Sequence, residues 1–196
     1  MTTFKLRQGQ HTLIVGKTGS GKTTLARHLM SQRPYSIVLD TKGDLSWSGF
    51  KQTESVAEAF GQTHCILRPK DRRSIYMFYE QAYEEGGWSV YTDEVYQIGH
   101  GTIYSFPAYF VRGLTAGRSR GETMVTSTQR PRFLPQFTIT ESTHIFVFEL
   151  NSKEDRKAIS RLVGNDKLDQ TGELKRYEFL YLNTVENKVI KGKMKL

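Results

Sequence analysis

The chain has 196 residues, 28 Lys and Arg against 20 Asp and Glu, and a formal net charge of +8 at pH 7. Its 37% hydrophobic content and mean hydropathy of -0.51 describe a water-soluble globular chain, long enough to bury a core as one domain over residues 1–196. No apolar run approaches the roughly 18 residues of a membrane span, and Met1-Thr2-Thr3-Phe4-Lys5 lacks the apolar centre of a signal peptide, so the chain is expected to stay where it is made.

Phe4 to Gln10 alternates loosely and reads as an edge strand or a lead-in. His11–Val15 is an apolar strand. It runs into Gly16-Lys17-Thr18-Gly19-Ser20-Gly21-Lys22-Thr23, and a helix follows from Lys22 to Ser31, ended by Pro34. Ser36–Asp40 is a second strand, closed by an acid and followed by the polar turn Thr41-Lys42-Gly43-Asp44. Thr53 is the expected N-cap of a short helix ending at Phe60-Gly61. His64–Leu67 is a strand, and its Cys65, the one cysteine, is expected to be a buried inert thiol. Ile75–Glu85 carries Ile75, Phe78, Tyr79 and Ala82 on one helical face, and Gly86-Gly87 breaks it.

Trp88–Glu94 is a strand ending in two acids. Ser105-Phe106-Pro107 reads as a cap with proline in the first turn of a helix that carries Phe110, Val111 and Leu114 and stops near Gly117. Thr123–Thr128 and Thr143–Leu150 are strands. Ser152-Lys153-Glu154-Asp155 is a capping box before a helix with Ala158, Ile159, Leu162 and Val163, ended by Gly164. Tyr177–Leu182 and Lys188–Lys195 alternate around Val185-Glu186-Asn187 as a β-hairpin. Strands alternating with helices predict an α/β fold, a mainly parallel sheet flanked by helices with a C-terminal β-hairpin.

The octapeptide fits G-x-x-x-x-G-K-[ST] in its required strand–loop–helix setting. Glycines let main-chain N–H groups curl around phosphate oxygens, and the helix dipole adds to the attraction. Gly16, Thr18, Gly19, Ser20, Gly21, Lys22, Thr23 and Thr24 are the expected cradle for ATP. Lys22 is expected on the β- and γ-phosphates and the Thr23 hydroxyl on Mg²⁺. Asp93 at the end of a later strand suits Mg²⁺, and Glu94 beside it suits deprotonation of an attacking water. A carboxylate that activates water points to hydrolysis, since a kinase takes its nucleophile from the substrate.

Other segments leave more than one reading open. Asp40-Thr41-Lys42-Gly43 is either part of the site or a surface turn. Gln129, after Thr126-Ser127-Thr128, is either a sensor of the γ-phosphate and lytic water or part of a polar loop. In Gly117-Arg118-Ser119-Arg120-Gly121, Arg118 or Arg120 is a finger reaching a neighbouring subunit's nucleotide, a contact to DNA phosphates, or a solvated side chain. Arg130 is a third candidate. His100, Tyr104, Phe106 and Tyr109 line a DNA channel or fill the core. The histidines have no metal-ligand spacing. The sequence pI of about 9.5 suits an anionic partner such as nucleic acid.

In their order, the glycine loop, Leu39-Asp40-Thr41-Lys42-Gly43-Asp44, Val90-Tyr91-Thr92-Asp93-Glu94, the basic turn and Ser127-Thr128-Gln129-Arg130-Pro131 resemble the FtsK–HerA superfamily of P-loop DNA-pumping ATPases. The likeness covers about residues 11–150. Thr41 stands where that family usually has proline. The small size, with Phe133-Leu134-Pro135 and the strand after it, is similar to the genome-packaging ATPases of tailless icosahedral viruses with an internal membrane.

The resemblance implies a RecA-like fold and ATP hydrolysis with Mg²⁺ at subunit interfaces. Lys22 and Thr23 would hold phosphate and metal, Asp93 the metal, Glu94 would be the base and Gln129 the sensor. It also implies a homo-oligomeric ring, a hexamer, gripping double-stranded DNA through its phosphates without sequence readout. Such a ring would work in the host cytoplasm at the virion packaging vertex, with capsid-vertex or membrane proteins as further partners. The rival expectations are a P-loop kinase of a small molecule and a nucleotide-gated module of virion or secretion assembly.

Overall fold

The computed structural model describes residues 6–99 and 106–195. The apolar runs assemble, among the described residues, into one sheet of nine strands in the order β3-β4-β2-β5-β6-β1-β7-β8-β9. These are β1 His11–Val15, β2 Ser36–Leu39, β3 Lys51–Thr53, β4 His64–Leu67, β5 Ser89–Thr92, β6 Thr123–Thr128, β7 Ser142–Phe148, β8 Glu178–Asn183 and β9 Lys188–Lys193. From β3 to β7 all neighbours are parallel, and β8 and β9 add an antiparallel hairpin to the β7 edge.

The inner strands are buried on both faces, and their residues alternate between two cores. Leu13, Val15, Ile37, Leu39, Cys65 and Leu67 face one side, packed by α2 (Val56–Phe60), α3 (Arg72–Glu85), α4 (Ala108–Ala116), α5 (Gln136–Thr140) and α6 (Lys153–Val163). Ile14, Val38 and Ile66 face the other, where α1 (Lys22–Ser31) lays down Leu25, Ala26, Leu29 and Met30. Full burial of a Leu or Met side chain contributes roughly 1.5–3 kcal/mol, so this face of α1 holds the helix start firmly under the glycine loop. Cys65 is buried as expected, and burial pushes its thiol up to about 11.

The strands and helices follow the expected pattern with local corrections. Residues 6–10 form a turn rather than a strand. The cap of α2 is Ser55, whose hydroxyl accepts from Glu58 N, while Thr53 ends β3 and donates to the Glu58 carboxylate. α3 begins at Arg72, three residues early, because Asp71 caps Ser74 N. Pro107 is itself the N-cap residue of α4, and the expected cap at Ser105 lies outside the described residues, as do His100 and Tyr104. Phe106 stacks on the buried Phe110 with ring centroids 5.4 Å apart, so the described aromatics there are core.

Just before β6, Glu122 is 1% exposed and, among the described residues, neither carboxylate oxygen has a hydrogen-bond partner. It fits only because α4 presents Gly113 and the following turn Gly117, where an added Cβ would lie 3.0 and 2.7 Å from its oxygens. Burial raises its pKa from 4.5 to about 7, with Arg120 opposing. The unfolded chain releases this proton near its ordinary value while the folded chain holds it to about 7. The stability it carries is therefore full in acid and is lost as pH rises through 7. Glu122→Gln should change urea stability little at pH 5 and raise it at pH 8 by on the order of 2–3 kcal/mol. An equal change at both pH values would show that the carboxyl proton is not what matters.

Candidate nucleotide site

The carboxyl ends of β1, β5 and β6 meet at one edge of the sheet, and the glycine loop rises from it. Gly16 N donates to Thr128 O at 3.1 Å and Lys17 N to Glu149 O at 2.8 Å, which ties the loop to both neighbours of β1. A Cβ on Gly16 would sit 2.6 Å from Phe148 Cβ and 2.7 Å from Ser20 Oγ. Gly21 takes φ 119° and opens α1 with no side-chain cap. By contrast Ser55, Asp71 and Ser152 cap α2, α3 and α6. The first N–H groups of α1 are thus left to an outside acceptor, and the loop fits an anion such as a triphosphate.

Lys22 is 6% exposed, with Nζ 3.2 Å from Lys17 O and 3.9 Å from Glu94 Oε1. Burial pulls its pKa below the ordinary value. Glu94 and Asp93 oppose that shift, and Lys42 adds to it. Thr23 and Thr24 stand in the first turn of α1. Thr18 Oγ1 donates to Gln129 Oε1 at 2.8 Å, so the loop and the end of β6 touch through those two side chains.

Asp93 and Glu94 follow β5 directly. Tyr91 Oη donates to Asp93 Oδ1 at 2.9 Å and Ser127 Oγ donates to the same oxygen at 2.7 Å. Lys42 Nζ lies 3.5 Å from Asp93 Oδ2. Glu94 is 2% exposed, has φ 45°, and its Oε2 accepts from Gln129 N at 3.2 Å. A bulky residue in the left-handed region costs roughly 1–2 kcal/mol and persists only where its surroundings impose it. Here the strain turns the carboxylate toward Lys22. Among the described residues no group of three or more His, Cys, Asp or Glu could hold a metal.

The structure thus brings together Gly16 to Thr24, Asp93, Glu94 and Gln129, and adds Lys42, Tyr91 and Ser127, to which the sequence assigned no role on the carboxylates. Of the turn after β2, Asp40 is structural: its carboxylate accepts from Gly43 N and Leu45 N, both at 2.9 Å. Lys42 reaches the site because β2 pairs with β5, Leu39 beside Thr92.

Arg118 and Arg120 lie at the far end of β6, roughly 15–20 Å from the loop at about 3.3 Å per residue. They are not in their own subunit's site. Arg120 is engaged at the end of α3, where Nε donates to Tyr83 O at 2.5 Å, Nη2 donates to Glu84 O, and the guanidinium covers the Tyr83 ring. Arg118 is exposed, with its stem beside Gly9, and its charge adds to the lowering of the pKa of the buried His11. Arg130 lies 3.8 Å from the buried Asp155. It helps line a cavity of about 480 Å³ beside the loop with Lys17, Thr18, Gln129, Leu150 and Asn151.

A family model described as ABC transporter matches residues 1–179. The DNA packaging ATPase P9 of Enterobacteria phage PRD1 is 30% identical over an alignment of 208 positions, 92% of this chain and 85% of that protein. The genome packaging NTPase B204 of Sulfolobus turreted icosahedral virus 2, in complex with ATP-gammaS, has a TM-score of 0.82 at 18% identity, covering 97% of this chain and 100% of that one. The pCW3 conjugation coupling protein TcpA with ATPgS has a TM-score of 0.68 at 14% identity, covering 95% and 60%. The structural likenesses are of fold.

Ser127 is a direct test of the carboxylate pair, since its Oγ donates to Asp93 at 2.7 Å and accepts from Glu94 N at 3.4 Å. Ser127→Ala removes the hydrogen bond to the Asp93 carboxylate, about 1.5–3 kcal/mol, and with it the acceptor of Glu94 N. Phosphate release should fall roughly 10-fold or more in kcat with nucleotide affinity nearly unchanged. Unaltered turnover would mean that Asp93 needs no such support.

Proposed function

The chain belongs to the P-loop ATPases, in the packaging-ATPase branch of the FtsK–HerA-like group, and from that membership we propose that it is the motor that drives viral double-stranded DNA into a preformed capsid. The whole chain, residues 1–196, acts as one ATPase domain in a ring of its own copies, a hexamer, at the packaging vertex. The relationship to the PRD1 packaging ATPase supports the cargo. The observation that carries the hydrolytic half is Glu94, a buried carboxylate 3.9 Å from Lys22 and fixed by the main chain of Gln129.

Each side chain then has a task. The main-chain N–H groups of Gly19 to Thr24 hold the phosphates, and Lys22 bridges the outer two. Thr23 and Asp93 are the residues that would hold Mg²⁺, which supplies charge neutralisation across the phosphate oxygens. Glu94 takes the proton of a water as its oxygen bonds to the γ-phosphorus and the bond to the ADP oxygen breaks. Lys42 balances Asp93. Gln129 joins the state of the loop, through Thr18, to the position of the base.

The finger assignment favours Arg118. Arg120 is already used by two carbonyls of α3, and Arg118 is exposed at an edge that a neighbour in a ring can meet. The basic surface holds DNA by its phosphates, so binding should weaken steeply with salt.

Glu94→Gln should bind ATP as before and lose turnover by a factor of at least about 100. Arg118→Ala should do the same, and Arg120→Ala should lower stability first. Mixing Glu94→Gln with Arg118→Ala subunits should restore activity, because some interfaces then join an intact base to an intact finger. ATPase rates with and without duplex DNA, measured beside the assembly state, decide it. A mixture as inactive as its components would reject the trans assignment, and undiminished hydrolysis by Glu94→Gln would remove the base.

A further inference from the structure

Three non-glycine residues among those described have left-handed φ: Glu94, Tyr177 and Asn187. Asn187 lies in the turn between β8 and β9, where asparagine suits that conformation. Glu94 is the base. Tyr177, with φ 67°, has no such reason. Glu178 N donates to Lys175 O at 2.9 Å, which places Tyr177 at the third position of a turn that favours glycine.

The turn is anchored to the phosphate loop. Tyr177 N donates to Ser20 O at 3.1 Å and Met194 N donates to Tyr177 O at 3.0 Å. The half-buried ring lies against the start of α1, where a Cβ on Gly21 would meet Tyr177 Cδ1 at 2.8 Å. The exposed Arg176 guanidinium covers the ring, 4.8 Å from its centroid.

The sheet order sets the direction in which a nucleotide lies. Asp93, Glu94 and Gln129 occupy the β5–β6 side of β1, while Tyr177 opens β8 on the other side. With the terminal phosphoryl at the carboxylates, the α-phosphate lies over the first turn of α1. The nucleoside then extends toward β8, where a planar cation lies over a planar π surface. Both stack on purines.

We propose that Tyr177 and Arg176 are the nucleobase platform of this ATPase, the purine stacking on the pair that the Tyr177 ring makes with the Arg176 guanidinium laid over it. The proposal rests on the ATPase reading above and names where the base end of that substrate binds. It also accounts for an aromatic residue kept in a glycine position: the backbone is strained so that the ring sits at the edge of the phosphate cradle.

The test compares a ligand with a base to one without. Calorimetric titration of the full-length protein with a non-hydrolysable ATP analogue, and with inorganic tripolyphosphate, both with Mg²⁺, gives two affinities. Tyr177→Gly relieves the backbone and removes the ring, so it should not lower the melting temperature. It should weaken the analogue about 10-fold or more and leave tripolyphosphate within about two-fold. Tyr177→Phe should keep the analogue within about three-fold, and Arg176→Ala should weaken the analogue alone. Equal loss of both ligands would make Tyr177 a prop for the loop and overturn the platform, as would no loss of either. Wild-type protein that binds neither ligand would overturn the ATPase reading itself, and the platform with it.

Discussion

Lys22 and Glu94 face each other across 3.9 Å, an ammonium 6% exposed and a carboxylate 2% exposed. The gap is too long for a hydrogen bond and too short for either charge to ignore the other. Two charges held in this way are costly unless their remaining valences are met. Lys22 meets Lys17 O and Glu94 meets Gln129 N, and both partners are backbone groups fixed by the sheet. The architecture around them follows from that requirement. Parallel strands must end together so that loops from β1, β5 and β6 can reach one point, and α1 must be packed hard enough to fix Lys22 at its first turn.

β6 connects the two ends of this design. It begins at the arginine turn, runs through six buried residues, and ends at Gln129 against Glu94 and Thr18. It is paired on both edges, with β5 and with β1. A strand held on both sides in a close-packed core does not slide by itself. Any influence of the arginine end on the nucleotide end therefore requires motion of the whole sheet relative to something outside it. In the proposed ring that something would be the adjacent subunit.

Much of this was legible in the residues. β1 and α1 begin and end where the sequence places them, because a glycine loop and Pro34 punctuate an unambiguous pattern. β3 was not legible: Lys51-Gln52-Thr53 is exposed and polar, and becomes a strand only because β4 offers it an edge. Residues 95–99 and 166–173 are 3₁₀ segments whose apolar positions follow neither period. At the site, the acids and the glycine loop carry a motif, whereas Tyr91 and Ser127 look like ordinary strand residues. Their hydroxyls meet Asp93 through the β5–β6 register, with Tyr91 beside Val125, which is long-range information. The two arginines of the basic turn are alike in sequence. They differ in space because the end of α3, some 36 residues earlier, offers its carbonyls to Arg120 alone.

The C-terminal hairpin is where local and long-range constraints meet. As a pattern it is an antiparallel addition to the edge of a parallel sheet, remote from the chemistry. In space it lays Tyr177 and Met194 on Gly21, with Met194 Cε 2.6 Å and Phe148 Cε1 3.3 Å from where a Cβ would stand. Gly21 is therefore required twice, once because φ 119° lies where side chains are disfavoured and once because no volume remains for one. Its conformation turns the loop's N–H groups toward an anion, and its lack of a side chain lets the hairpin close against the helix start. The same atom count that makes the phosphate cradle thus also admits the C-terminal strands to its rim. A strand pair added at the sheet edge can then share in binding without carrying any residue of the phosphate motif.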